Sequence, residues 1–137
     1  MHRYIHKVKY YETDKMGITH HSNYVRWMEE ARMDYLKSVG WGMRTFETYG
    51  VTSPVVSVEC RYINTTTFDD EIEISVSLSQ YTGVKLQMDY TMKNLETGDT
   101  VMTARSLHCF IDESGRPLAL KKRFPEFDAV LTGEINK

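Results

Sequence analysis

Apolar and polar residues alternate along two stretches in the second half of the chain. In Glu71 to Gln80, Ile72, Ile74, Val76 and Leu78 share one side, with Glu and Ser on the other; in Lys85 to Asn94, Leu86, Met88, Tyr90 and Met92 do the same. A period of two marks half-buried strands, and residues 81 to 84, with Gly83, join this pair as a hairpin. Val55 to Ile63, rich in β-branched residues, and Val101 to Ile111, closed by a turn at Asp112 to Gly115, predict two more strands. Residues 3 to 10 mix Tyr, Ile and Val with charges and predict a first strand. Between that strand and the rest the period changes. Tyr24, Met28, Ala31 and Tyr35 recur at helical spacing, with Val25, Leu36 and Val39 alongside and Arg26, Glu29, Glu30 and Lys37 on the opposite side. Ser22 or Asn23 is the expected N-terminal cap and Gly40 the expected stop. Residues 43 to 49 predict one short helical turn, and Lys121 to Leu131 a short helix.

Strand, helix, then four strands with short connections is an α+β order. A single long helix with an apolar stripe has to bury it, and the economical solution is an antiparallel sheet of about five strands wrapped around it. A chain of 137 residues with no Gly/Ser-rich linker and no internal repeat is expected to be one domain, residues 1 to 137, able to build a core without disulfides or metals. Seventeen Lys and Arg against 19 Asp and Glu leave a net charge of −2, which argues against a general nucleic-acid binder. No apolar run exceeds three residues, so no membrane span is expected, and the first residues lack the apolar stretch of a signal peptide. The expectation is an intracellular, cytoplasmic protein. Cys60 and Cys109 stand in strand-like runs without a Cys-x-x-Cys pair and predict two reduced, buried thiols rather than a metal or redox site.

The candidate chemistry lies in residues 12 to 24, where Glu12, Thr13, Asp14, His20, His21, Ser22 and Asn23 precede the helix. A helix N-terminus offers unpaired N–H groups and a partial positive charge that can hold an oxyanion. A carboxylate beside such a site, here Asp14, is the equipment for hydrolysing an acyl compound, as nucleophile or as base. Spacing alone leaves a second reading open, a polar loop whose Asp caps a turn and whose histidines are solvated. Adjacent His20 and His21 do not make a metal pair, and no Gly-x-Ser-x-Gly elbow, P-loop or dinucleotide fingerprint occurs.

The segment Val8-Lys-Tyr-Tyr-Glu-Thr-Asp14-Lys-Met-Gly17-Ile-Thr-His-His21-Ser-Asn-Tyr24, followed by Glu30-Ala-Arg32, resembles the motif of the 4-hydroxybenzoyl-CoA thioesterase-like hotdog family: Thr-Asp-x-x-Gly, three residues, then His-x-x-Tyr. Outside the motif the likeness is one of layout, over about residues 3 to 125. It implies a hotdog fold and hydrolysis of an acyl-CoA or acyl-carrier-protein thioester, with no cofactor and no metal. By the same resemblance Asp14 is the catalytic carboxylate, and the backbone N–H at His21 polarises the thioester carbonyl. Gly17 lets the loop turn, and Tyr24 and Trp27 line the acyl pocket or belong to the core. It implies a homodimer or homotetramer with sites at the interface. Met16 departs from the small residue common before the glycine and is expected to narrow the acyl pocket. Arg116, Lys121, Lys122 and Arg123 form the densest basic group, either a solvated surface or a contact for the CoA phosphates. Two other readings of such a chain are a thioester-binding subunit without turnover and a hotdog hydratase or dehydratase.

Overall fold

A computed structural model describes residues 1–135 and 137. Its five strands are β1 (His2–Lys7), β2 (Val55–Tyr62), β3 (Glu71–Tyr81), β4 (Lys85–Asn94) and β5 (Thr100–Cys109). They form one antiparallel sheet in the order β1-β3-β4-β5-β2. Helix α1 (Ser22–Ser38) lies against its inner face, followed by α2 (Met43–Tyr49) and, after the sheet, by α3 (Leu120–Arg123) and α4 (Pro125–Glu134). The expected α+β architecture, a sheet wrapped around one long helix, is the observed one.

The alternation of β3 and β4 sets the register. Ile74 faces Met92, Val76 faces Tyr90 and Leu78 faces Met88 across the ladder, so both apolar sets lie on the same, inner side. Met28, Met88, Met92 and Met102 put four thioethers in this core, all buried; unbranched side chains of this kind fill the irregular space between a curved sheet and a helix. From α1, Tyr24, Met28, Ala31, Tyr35 and Leu36 are buried as expected, but Val25 is 40% exposed. Asn23, Trp27 and Arg32 are buried in addition. The buried arc is therefore wider than the apolar stripe and includes polar side chains.

The cap expectation is corrected. His21 is the N-cap residue, already in helical conformation and without a side-chain cap bond, and Ser22 and Asn23 lie inside the helix. A cap needs an acceptor, whereas Asn23 uses its amide N–H groups as donors to the carbonyls of Glu12 (2.9 Å) and His20 (3.3 Å). Gly40 does end α1, at φ +96°, with the Trp41 N–H on the Leu36 carbonyl. The tail expected as one short helix is two, separated by Phe124, with Pro125 opening the second. It closes the far end of the core with an aromatic cluster in which Trp41 stacks on Phe127 at 4.2 Å, with Phe46, Phe110 and Phe124 around them. Cys60 and Cys109 are free thiols, half-buried rather than fully so. Among the described residues no helix is long and apolar enough to cross a membrane.

Candidate active site

The loop before α1 is built around Glu12, the end of a 3-10 turn (Tyr10–Glu12). Its carboxylate is buried and accepts three hydrogen bonds: from the Lys9 N–H (2.7 Å) and the His6 ring (2.8 Å) on Oε1, and from the Trp27 indole N–H (2.7 Å) on Oε2. Burial works to raise the Glu12 pKa, but the Lys9, Trp27 and His6 hydrogen bonds and the imidazole charge outweigh it and hold the carboxyl below its ordinary value. The Glu12 carbonyl accepts the His20 N–H at 2.9 Å in addition to the Asn23 amide. One residue thus ties β1, the loop and the first two turns of α1 together. Sequence reading missed this role and missed His6 altogether. The available signal was His6 at even spacing with Tyr4 of β1 and with Val8 just beyond it, all turned inward.

From Thr13 to Thr19 the chain doubles back. Thr13 bridges Thr19, the Asp14 N–H bonds the Ile18 carbonyl at 2.8 Å, and the Gly17 N–H bonds the Asp14 carbonyl at 3.0 Å. Gly17 makes the turn at φ +79°, a conformation that a side chain strains. The Thr67 hydroxyl donates to the Gly17 carbonyl at 2.7 Å, and the Thr19 N–H donates to the Thr66 carbonyl at 2.9 Å, anchoring the doubled loop to the segment before β3. At its turn Asp14 is half-buried: one carboxylate oxygen accepts the Met16 N–H at 2.8 Å, and the other makes no hydrogen bond among the described residues. The carboxylate is held in place on one side and available on the other.

The loop delivers the chain into α1 at His21. Asn23 and Tyr24 turn their N–H groups back to the carbonyls of His20 and His21, and the Ser22 N–H meets the His20 ring at 3.3 Å. The His21 N–H has no hydrogen-bond acceptor among the described residues. His20 and His21 are both exposed, their rings 4.4 Å apart, and the His21 ring stands 6.4 Å from that of Tyr62. Tyr24 is buried, its hydroxyl 3.0 Å from Thr66 Oγ1, which is itself 2.6 Å from Thr19 Oγ1. Trp27 has no exposed surface, so within one chain it stands behind the loop as the donor to Glu12. Met16 projects outward at 76% exposure.

The basic group is not part of this arrangement within one chain. Arg116, Lys121, Lys122 and Arg123 are exposed, and the segment carrying them is bonded through the Leu120 N–H to Gly83, at the turn between β3 and β4. The Asp14 loop is anchored just before the opposite end of β3, so the length of that strand, ~35 Å at strand rise, separates the two. No cluster of His, Cys, Asp and Glu among the described residues has the geometry to hold a metal.

Fold and loop together define a hotdog-fold thioester hydrolase. The chain belongs to the thioesterase-like superfamily, whose family model matches residues 8–134. A Bacillus subtilis (strain 168) protein named "Putative acyl-CoA thioesterase YneP" is 34% identical over 122 residues, covering 88% of this chain and 88% of that one. The 1,4-dihydroxy-2-naphthoyl-CoA hydrolase of Thermosynechococcus vestitus is 26% identical over 106 residues, 77% of this chain and 72% of that one. Among solved structures, the DHNA-CoA thioesterase of Staphylococcus aureus superposes with a TM-score of 0.91 at 26% identity, over 96% of this chain and 89% of that one.

Proposed function

We propose that the protein hydrolyses an acyl-CoA thioester to a free acid and the CoA thiol, with Asp14 and the His21 N–H as its working parts. The observation that carries this reading is the unpaired His21 N–H at the start of α1, reached by a loop whose Asp14 has one oxygen fixed and one free. The carbonyl oxygen of the thioester accepts the His21 N–H, where the helix end favours developing negative charge. The free Asp14 oxygen attacks the carbonyl carbon or takes a proton from the attacking water. The tetrahedral intermediate collapses with cleavage of the C–S bond; on the base route Asp14 passes the water's proton to the leaving thiolate, and on the nucleophilic route a water then hydrolyses the acyl–Asp14 anhydride, one of its protons going to the thiolate and the other leaving with the acid. The names carried by the relatives support CoA as the carrier.

The same reading includes a second copy of the chain. Strand β2 is a sheet edge, exposed along nearly its whole length, with Val55, Val56 and Val58 uncovered; an open apolar edge of this kind pairs with another strand. Light scattering is expected to give at least twice 16.0 kDa. A second chain would also bring further basic groups to the CoA phosphates, besides the exposed Lys15 of the Asp14 loop itself.

The decisive experiment is Asp14→Asn. The amide keeps the shape and the place of Asp14 but neither attacks nor accepts a proton. kcat is expected to fall ~10²–10⁴-fold with little change in substrate Kd. A folded variant that keeps more than about a third of the wild-type kcat removes Asp14 from the mechanism.

A further inference from the structure

The first turn of α1 spends its N–H groups locally, with one exception. The Ser22 N–H meets the His20 ring at 3.3 Å, the Asn23 N–H donates to the His20 carbonyl at 3.0 Å, and the Tyr24 N–H donates to the His21 carbonyl at 3.3 Å. An ordinary helix start leaves about four such groups open; here the His21 N–H is the one without an acceptor among the described residues. Its direction is fixed from the other end of the same peptide unit. The bond between His20 and His21 is trans, so the His20 carbonyl and the His21 N–H project in opposite directions from one rigid plane. That carbonyl is gripped twice, both times by Asn23: by its backbone N–H at 3.0 Å and by its side-chain Nδ2 at 3.3 Å.

The same Nδ2 donates to the Glu12 carbonyl at 2.9 Å, which also accepts the His20 N–H at 2.9 Å. Both partners of this side-chain atom are carbonyl oxygens, which only accept, so nitrogen is the end of the amide that faces them. Asn23 is 6% exposed and holds the peptide from the interior. Glu12 is itself fixed, through the bonds of its carboxylate to Lys9, His6 and Trp27, and Asp14 follows it by two residues. One amide therefore joins the base of the Asp14 loop to the peptide that carries the His21 N–H. Attack on a bound carbonyl depends on the separation of those two groups, and an error of about 1 Å costs up to ~10²-fold in rate. A carbonyl that accepts hydrogen bonds also polarises its peptide and strengthens the donor at the other end.

We propose that Asn23 is a positioning residue for thioester hydrolysis: its side-chain amide, bridging the Glu12 and His20 carbonyls, aims the His21 N–H at the substrate carbonyl and sets its separation from Asp14. The proposal rests on the thioesterase reading above and adds the residue that keeps the two working parts of that reading at a fixed spacing. Asn23 touches no substrate in this role and acts through the peptide it holds. A residue that served stability alone would lower the melting temperature and leave the turnover of the folded protein intact.

The test is Asn23→Ala, which removes Nδ2 and keeps the backbone N–H. The Glu12 and His20 carbonyls each retain a backbone donor, so the variant is expected to fold, with circular dichroism as the check; Asn23→Asp, the same shape without the donor, takes its place otherwise. Acetyl-, hexanoyl- and benzoyl-CoA are the substrates. For the fastest of them kcat is expected to fall ~10–100-fold, short of the ~10²–10³-fold of a donor removed outright, with KM changed by less than about threefold. A folded variant within about threefold of the wild-type kcat, or one whose loss lies wholly in KM, overturns the proposal. Amide relaxation by NMR reads the clamp without substrate. The wild-type His21 N–H should be as rigid as the body of α1, with an order parameter of ~0.85, and should become more mobile in the variant. A wild-type His21 N–H more mobile than the α1 average overturns the proposal even if neither variant folds, and so does a mobility that the substitution leaves unchanged. Wild-type protein that hydrolyses none of the three thioesters defeats the functional reading and the proposal with it, whereas hydrolysis that Asn23→Ala leaves intact removes the proposal alone.

Discussion

Replacing Glu12 by Gln keeps the volume of the side chain and removes its charge. The consequence follows from the three donors around it. Oε1 serves the Lys9 N–H and the His6 ring, Oε2 the Trp27 indole N–H at 2.7 Å. The best placement of a Gln amide puts its oxygen where Oε1 was and keeps two of the three bonds. Its NH₂ then faces the Trp27 N–H, donor against donor, with both groups buried. An unsatisfied buried donor costs about 1–3 kcal/mol, and the surviving bonds lose their charge assistance, so the loss of stability is expected to be about 2–4 kcal/mol. For a chain of 137 residues this corresponds to a fall in Tm of ~7–14 °C. Urea titration followed by circular dichroism measures it. Trp27→Phe removes the clashing donor, so Glu12→Gln should cost less in that background than alone. The pH dependence carries the same signature. The carboxyl is held below its ordinary value in the folded state, so its contribution is fully present above the unfolded pKa of ~4.3 and is lost as pH falls through the lower folded value. Glu12→Gln should lack this acid-side decline. A loss under about 1 kcal/mol, or strict additivity with Trp27→Phe, refutes the assignment of Glu12 as the knot of the loop.

Other substitutions test the scaffold. Ala31→Asp places a charge at a position with no exposed surface between α1 and the sheet; it should cost several kcal/mol and leave the chain unfolded or insoluble, and a soluble, normally melting product would show that this face of the helix is not buried. Gly17→Ala meets no atom within 4 Å, so only its φ of +79° is at stake, and a loss of about 1–2 kcal/mol by urea titration is expected, whereas no change would mean that the turn relaxes freely.

Where local pattern and burial agree, the fold was legible. Strands β3 and β4 show a clear period of two because their inward side chains, from Ile72 to Leu78 and from Leu86 to Met92, are apolar but for the Tyr90 hydroxyl, which bonds Ser106. β1 resists the same reading because its inner positions are polar. His2 lies 2.6 Å from Asp34, Tyr4 bonds Glu30 and His6 bonds Glu12, while Ile5 of the same strand is 56% exposed. Each of these side chains is inward because a partner makes it cheap to bury, and most of those partners lie on a helix well along the chain. Asp14, Gly17 and His21 were singled out by the motif they belong to. The residues that fix them were not: Thr66 stands 47 positions from Thr19 and Thr67 50 positions from Gly17, and nothing in the local composition of either threonine announces the contact. Arg32 was visible as a letter of the motif, but its burial arises only when β4 and β5 close over it. Glu12 was read as one polar residue of a loop because a buried carboxylate looks the same in sequence as a solvated one.

The four thioethers between α1 and the sheet give the molecule a built-in record of oxidative history. Met16 and Met43, at 76% and 52% exposure, meet peroxide directly, and a sulfoxide there lies in solvent at little cost. Met28, Met88, Met92 and Met102 are reached only when the sheet opens from the helix. A sulfoxide formed on any of them would need a polar neighbour at a position filled for its softness, and would hinder re-closure. The order in which methionines gain oxygen therefore separates exposure of an intact protein to oxidant from exposure of one that has already opened.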